Sequence, residues 1–346
     1  MKLLRLLLFP FAILYGTVTA IRNFLYDKGI YKSYTFSVPV IAVGNLSTGG
    51  TGKTPQIEYL IRLLSANYKI ATLSRGYKRK SKGFVLGNAD SDAAMLGDEP
   101  YQFYKKFSEI EVAVDANRKN GIEQLLKLSP KPEIILLDDA YQHRRVKSGL
   151  YILLTAYGDI YADDYILPAG NLREGRSGAK RAAVIVVTKC PPTISLHERE
   201  KIVKKLKPQP GQRVYFTFIE YDDKVYSETV TLNASKVKLV DKLLVAGIAK
   251  PQPFFSYLEG DNNVNLTYPD HHDFSEKDII DIENKSQNKI IVTTEKDYVR
   301  LQGKLPGERL FYLPIKSSFI AGGNDFDKTI LDFVKLFPVG GNRVFN

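Results

Sequence analysis

Residues 38–64 read VPVIAVGNLSTGGTGKTPQIEYLIRLL, and their reading decides the fold. Val38 to Val43 is a short apolar run closed by a glycine, the pattern of a buried strand. Beyond Lys53, the apolar residues Ile57, Leu60, Ile61 and Leu64 recur at the spacing of one helix face, and Pro55 suits a first turn that needs no amide hydrogen. Between strand and helix lies Ser47-Thr48-Gly49-Gly50-Thr51-Gly52-Lys53-Thr54. Strand, glycine-rich loop and helix in this order make a phosphate-binding loop. Glycines let backbone N–H groups close on phosphate oxygens, and the helix N-terminus adds partial positive charge. Lys53 is placed to reach the terminal phosphates, and the Thr54 hydroxyl to serve Mg²⁺.

The loop departs from G-x-x-x-x-G-K-[ST] at Ser47. Its GG-x-GK-T core resembles the variant loop of ATPases that sort membranes and plasmids, with Thr48 in place of their additional lysine. Further along, Pro132 to Asp139 is an apolar strand ending in Asp138 and Asp139, where a P-loop protein holds Mg²⁺. Successive strand residues point oppositely, so one of the two carboxylates is expected to face the metal. A helix-capping pair is the structural alternative. At Thr188-Lys189-Cys190-Pro191 the Asp that reads guanine is missing, which favours adenine and hence ATP.

A chain of 346 residues has room for two domains, and 44% hydrophobic with 25% charged residues is an ordinary globular composition. Its single cysteine, Cys190, excludes an internal disulfide and a cysteine-built metal site. The net charge of +11 points to an anionic partner. No nucleic-acid-binding motif or internal repeat is present, which leaves a phosphorylated substrate or an anionic membrane surface. Oligomeric state is not legible.

The first 26 residues have a basic start, an apolar middle interrupted by Pro10, and Val18-x-Ala20. Cleavage as a signal peptide would export a triphosphate-binding domain away from its nucleotide. The uncharged run from Leu6 to Ile21 falls short of the roughly 20 residues of a spanning helix. An N-terminal membrane-interface helix over residues 1–28 is therefore expected, with Lys2, Arg5 and Arg22 flanking its apolar face. A core helix is the alternative.

Residues 29–210 read as the P-loop domain, ending near Lys207-Pro208-Gln209-Pro210-Gly211. Residues 211–346 read as linker strands, Arg213 to Ile219 and Val225 to Leu232, followed by a second, smaller α/β unit without a nucleotide loop. Several polar segments stand at strand or helix ends. Ser74 to Lys82 carries five cations. In Gly97-Asp98-Glu99-Pro100, Asp98 suits an N-cap. Leu167 to Arg176 is a loop of turn residues, cations and a carboxylate, and Pro269 to Ser275 precedes a helix.

Taken in order, GNLSTGGTGKTP, SRGYKR, GDEP, DDAYQHRR, LPAGNLRE, the Asp270-His271-His272 segment and TEKD resemble the tetraacyldisaccharide 4′-kinase family nearly end to end. Ala140 and Gly175 stand where that family often has Gly and Pro. The resemblance implies a P-loop kinase-type α/β/α domain and a smaller α/β domain joined by a β-ribbon, with the active site in the cleft. It implies ATP- and Mg²⁺-dependent phosphorylation of the 4′-hydroxyl of an acylated disaccharide 1-phosphate, at the cytoplasmic face of the bacterial inner membrane. Asp98 and His271 fall on the pair that activates the hydroxyl, with His272 the rival histidine. Asn45, Tyr77, Glu99, Arg118, Gln142, Arg173 and Glu174 fall on further positions around the cleft, expected to bind substrate. A P-loop ATPase switch controlling membrane association or partner binding is the alternative function; the Asp270-His271-His272 segment argues against it, since a switch needs no additional acid–base group.

Overall fold

Strand β1 (Val40–Asn45) is buried along its whole length and lies inside a nine-stranded sheet. Its neighbours are β5 (Ile134–Asp138) and β6 (Leu150–Ala156), both parallel to it. Residues of this kind, apolar on both faces, are what a parallel sheet covered by helices on both sides requires. The parallel run extends through β2 (Ile70–Ser74) to β4 (Glu111–Val114) on one side, and through β7 (Val184–Thr188) to β8 (Arg213–Tyr221) on the other. Antiparallel strands close both edges: β3 (Val85–Leu86) on β4, and β15 (Ile315–Ala321) on β8. The computed structural model describes residue 5, residues 7–260 and residues 262–337.

A second sheet has six strands. β11 (Lys242–Ala246), β12 (Asn263–Thr267), β13 (Ile290–Thr294) and β14 (Leu310–Leu313) are parallel. β9 (Lys224–Tyr226) and β10 (Thr231–Asn233) add antiparallel strands at its edge. The single strand expected from Val225 to Leu232 is thus two, because Ser227 accepts and donates hydrogen bonds across a turn to Val230.

The expected unit 211–346 is also divided. β8 leaves the first sheet, β15 returns to it, and the two pair as the antiparallel ribbon that joins the domains. The final helix, Gly323–Leu336, packs Phe326, Ile330, Phe333 and Val334 into the first domain's core beside Ile57, Leu60 and Ile61. Apolar residues at that helical spacing need a partner face, and the ribbon brings them back to the P-loop helix.

Helix α1 (Phe9–Asp27) lies against the first domain by its polar side. Tyr15 donates to the carbonyl of Arg173 (3.0 Å) and Asn23 to Glu174 Oε2 (2.7 Å), and ahead of the helix Arg5 donates to the carbonyls of Pro168 (3.3 Å) and Gly170 (2.7 Å). Its other face leaves Phe11, Leu14, Val18 and Ile21 exposed, alternating three and four residues apart as one stripe. No described helix is long and apolar enough to cross a membrane. Residues 1–4 and 6 of the apolar start, Lys2 included, lie outside the described residues.

Candidate active site

The loop after β1 ends at Gly52, whose φ of 81° is the left-handed conformation that glycine adopts without cost. Helix α2 (Lys53–Ser65) starts at the next residue, so its free N–H groups face the loop. The end of β7 supports the loop from one side: Thr188 Oγ1 donates to Thr51 O (2.7 Å) and Lys189 Nζ to Gly50 O (2.7 Å). From the other side, Thr48 N donates to Asn171 O and Arg173 N to Leu46 O, both at 2.7 Å. The segments LPAGNLRE and TKC are therefore walls of the phosphate loop.

Asn45, fully buried at the end of β1, donates to Ser47 O (2.7 Å) and accepts from Lys53 Nζ (3.4 Å) and from Arg173. Arg173 grips Asp139 with two nitrogens, at 2.9 and 3.2 Å, while Lys53 Nζ stands 3.6 Å from the same carboxylate. Burial opposes ionisation of Asp139, yet Lys53 and Arg173 outweigh it and hold the group at about 2. Asp138 differs. Burial pushes it up to about 6 against the attraction of Lys53, its Oδ2 accepts only a long bond from Ser74 (3.4 Å), and its buried Oδ1 has no hydrogen-bond partner. Adjacent carboxylates at one strand end thus carry opposite environments, as the alternation of a strand and a positive φ of 46° at Asp139 produce.

An orphaned carboxylate oxygen beside a P-loop is the donor that Mg²⁺ accepts, since this ion takes one or two carboxylates and completes its shell with phosphate oxygens and water. Asp138 with the Thr54 hydroxyl fits that ion.

Across the cleft, Asp98 opens helix α3 (Asp98–Lys106) without capping it; Gly97 is the N-cap and makes no side-chain cap bond. Its carboxylate instead meets the second domain. His271 Nδ1 lies 3.6 Å from Asp98 Oδ2, and Arg300 bonds the same oxygen. Burial works against ionisation of Asp98, but the hydrogen bonds from His271 and Arg300 hold it at about 2. His271 sits at φ 59°, donating its N–H to Gly247 O (3.3 Å), a left-handed site that histidine tolerates better than most residues. His272 faces away: its Nε2 is 3.0 Å from Asp278, the residue that completes the capping box with Ser275. Geometry therefore brings Asp98 to His271 and not to His272.

Tyr77 is exposed, with its ring edge-on to His271 at 5.6 Å. Gln142 donates to Asn45 O (2.9 Å) and Glu174 Oε1 (3.0 Å). Glu99 acts on Asp138 and on Arg300 through its charge. Two expected substrate-binding residues are buried. Glu174 is buried and shared by Arg181 (2.7 Å), Gln142 and Asn23. Arg118 is buried and donates to the carbonyls of Asp115 (2.7 Å) and Asp138 (3.2 Å). The Glu174 carboxylate is taken up by protein partners, whereas the buried Arg118 Nε has no hydrogen-bond partner.

The residues from the second domain that sequence reasoning passed over are Lys296 and Arg300. Lys296 Nζ is 2.8 Å from His271 Nε2 and 3.1 Å from Asp270. The two cations reach across from the short helix Glu295–Leu301, whose N-cap Thr294 and buried Asp297 bond each other, with Asp297 also accepting from Gly247 N (2.8 Å). Lys189, under the loop, is lowered by burial and by Lys250, Lys53 and Lys296, so cations of both domains converge there.

A parallel sheet, a glycine loop feeding a helix, and a carboxylate pair on the neighbouring strand define a P-loop phosphoryl-transfer protein. The sequence model of the family described as Tetraacyldisaccharide-1-P 4′-kinase matches residues 4–335, and the chain belongs to that family. It is 63% identical over 343 residues to the Tetraacyldisaccharide 4′-kinase of Flavobacterium psychrophilum, covering 99% of this chain and 100% of that one. Its identity to the enzyme of the same name from Flavobacterium johnsoniae is 61% over 335 residues, covering 97% and 98%. Among solved structures, LpxK from Aquifex aeolicus in complex with ATP matches with a TM-score of 0.78 at 33% identity, over 96% of this chain and 99% of that one.

Proposed function

We propose that this protein transfers the γ-phosphoryl group of ATP to the 4′-hydroxyl of a tetraacylated disaccharide 1-phosphate, a step of lipid A biosynthesis. The observation that carries the reading is the meeting of Asp98 and His271 from two domains beside an intact phosphate loop, in a chain of this family. An ATPase switch has no use for such a pair.

Each part of the site then has a task. Backbone N–H groups of residues 47–54 cradle the phosphates, and Lys53 follows the transferring group. Asn45 and Arg173 hold Lys53 and Asp139 in register. Mg²⁺ held by Thr54 and Asp138 would neutralise charge on the phosphate oxygens. Asp98 and His271 take the proton of the sugar hydroxyl, and Tyr77 lines the approach.

The apolar stripe of α1 lies on the interface of an anionic membrane, so the acyl chains stay in lipid while the sugar enters the cleft. Its polar side, bonded to the loop at residues 168–174, ties that docking to the P-loop wall. A net charge of +11 favours an anionic surface. With ATP inside the cell, this is the cytoplasmic face of the bacterial inner membrane.

ATP turnover with and without an acylated disaccharide 1-phosphate tests the reading. The kinase consumes ATP only with the acceptor and yields a bisphosphorylated lipid. Equal turnover without acceptor, with no phosphorylated lipid, would establish the switch instead.

A further inference from the structure

Lys296 stands second on the helix Glu295–Leu301, and that helix is tied down at several points. Glu295 is bonded to Lys106 and to the Ile315 N–H (3.2 Å), Asp297 to Gly247 N (2.8 Å), and Arg300 to Asp98. The lysine is therefore carried on a fixed backbone, and 21% of its side chain is exposed. A solvated surface lysine has neither property. Its ammonium lies 2.8 Å from His271 Nε2 and 3.1 Å from Asp270 Oδ1. Among the described residues it has no other hydrogen-bond or ion-pair contact, whereas an ammonium carries three N–H donors. At least one donor is left over, on a group largely withdrawn from water and beside a member of the Asp98–His271 pair.

The charges around it point the same way. Lys189 Nζ donates to Gly50 O (2.7 Å) in the wall of the phosphate loop, and the group is lowered by burial and by Lys250, Lys53 and Lys296, against the opposing charge of Asp270. Lys296 of the second domain and Lys53 of the first thus act on one group at the mouth of the loop. Lys53 has Asp139 at 3.6 Å, a carboxylate that Arg173 already holds with two nitrogens. Lys250 is spent at the rim on Asp159 (3.2 Å), with 74% of its side chain exposed. Cations of two domains gathered at a glycine loop repel one another unless an anion lies among them. The last phosphoryl group of a triphosphate is an anion of the right class, since the loop itself holds the others.

On the reading that this site is a kinase, we infer that Lys296 is a further catalytic residue, whose ammonium binds an oxygen of the γ-phosphoryl group from the second domain while Lys53 holds it from the first. In the transfer, the acceptor's hydroxyl oxygen forms its bond to the γ-phosphorus, and its proton passes to the Asp98–His271 pair. The bond from phosphorus to the β–γ bridging oxygen breaks with its electron pair on ADP. Negative charge is spread over the three equatorial oxygens of the phosphoryl group as this happens, and lysines of both domains stabilise it. Asp270 keeps Lys296 aimed, and the contact with His271 sets the phosphoryl group beside the pair that serves the hydroxyl.

Nucleotide affinity reads the contact without lipid. Calorimetry in the presence of Mg²⁺ should show Lys296→Met binding the β,γ-imido analogue of ATP about 10-fold or more weaker than the parent does, with ADP affinity unchanged, because the lysine touches the γ-phosphoryl group alone. Lys296→Arg keeps the charge and should recover most of the loss. His271→Ala leaves the ammonium in place and should keep the parent's preference for the triphosphate. With the acylated acceptor, Lys296→Met should lower kcat about 10²- to 10³-fold. Equal changes for both nucleotides, or none, would overturn the inference; so would the same loss in His271→Ala, which would put the effect on the ring. A kcat within a few-fold of the parent would overturn the catalytic part. A lost triphosphate preference in Lys296→Met, with no lipid phosphorylation by the parent, would leave Lys296 on the γ-phosphoryl group and fail the kinase reading alone.

Discussion

Replacing Lys106 by Met tests how the second domain is set against the phosphate loop. Lys106 Nζ lies 2.8 Å from Glu58 on the P-loop helix and 2.5 Å from Glu295, the first residue of the helix that carries Lys296 and Arg300. Both carboxylates are buried, Glu58 with 1% and Glu295 with 8% of its surface exposed. Removing one partner of a buried ion pair costs about 3–5 kcal/mol. Glu58 keeps Arg62 at 2.8 Å and Gln102 at 3.0 Å, so the loss falls on Glu295, left with the Ile315 N–H at 3.2 Å. Burial and the Glu58 charge already push Glu295 up to about 7, and without Lys106 it rises further. A carboxyl raised in the folded state contributes stability at low pH that is lost as pH rises through its folded value. Urea unfolding followed by circular dichroism should therefore show Lys106→Met weakened by about 3 kcal/mol near pH 8.5 and by much less near pH 5.5. Adding Glu295→Gln should recover most of the deficit at high pH. A loss independent of pH, or a double variant no better than Lys106→Met, would refute the argument.

Three more outcomes follow from the same contacts. Gly44→Ala places a Cβ 2.7 Å from Cβ of the buried Tyr141, and should lower stability by about 1–3 kcal/mol in the same urea experiment. Lys53→Ala should reduce kcat about 10²- to 10³-fold or more with an unchanged melting temperature, because its partners stand at 3.4 and 3.6 Å. Phe11→Glu with Leu14→Glu removes two exposed apolar groups of about 1.5–3 kcal/mol each, and should lower partition into anionic vesicles at least about 100-fold while leaving the melting temperature unchanged.

What was legible in the sequence follows from range. The phosphate loop announces itself within 27 residues because strand, glycine turn and helix are local and each has its own pattern. Asp138 and Asp139 were visible for the same reason, though which of them is orphaned depends on Arg173 and Lys53, neither on their strand. Arg300 was not visible, since its partner Asp98 lies 202 residues away and a cation on a short helix looks like a solvated face. Lys106 and Glu295, 189 residues apart, were hidden likewise. The return of β15 and the last helix to the first sheet was missed because an antiparallel ribbon pairs two segments separated by a whole domain. Glu174 and Arg118 were placed at the cleft by resemblance alone, and that both are buried among protein partners depends on residues far along the chain.

The claim that Asp98 and His271 act as one unit across the cleft is tested most directly by measuring lipid phosphorylation in Asp98→Ala, His271→Ala and the double variant. Groups that act together are not additive, so the double variant should be little slower than the slower single variant. Losses that multiply in full would contradict the account and assign the two residues separate tasks.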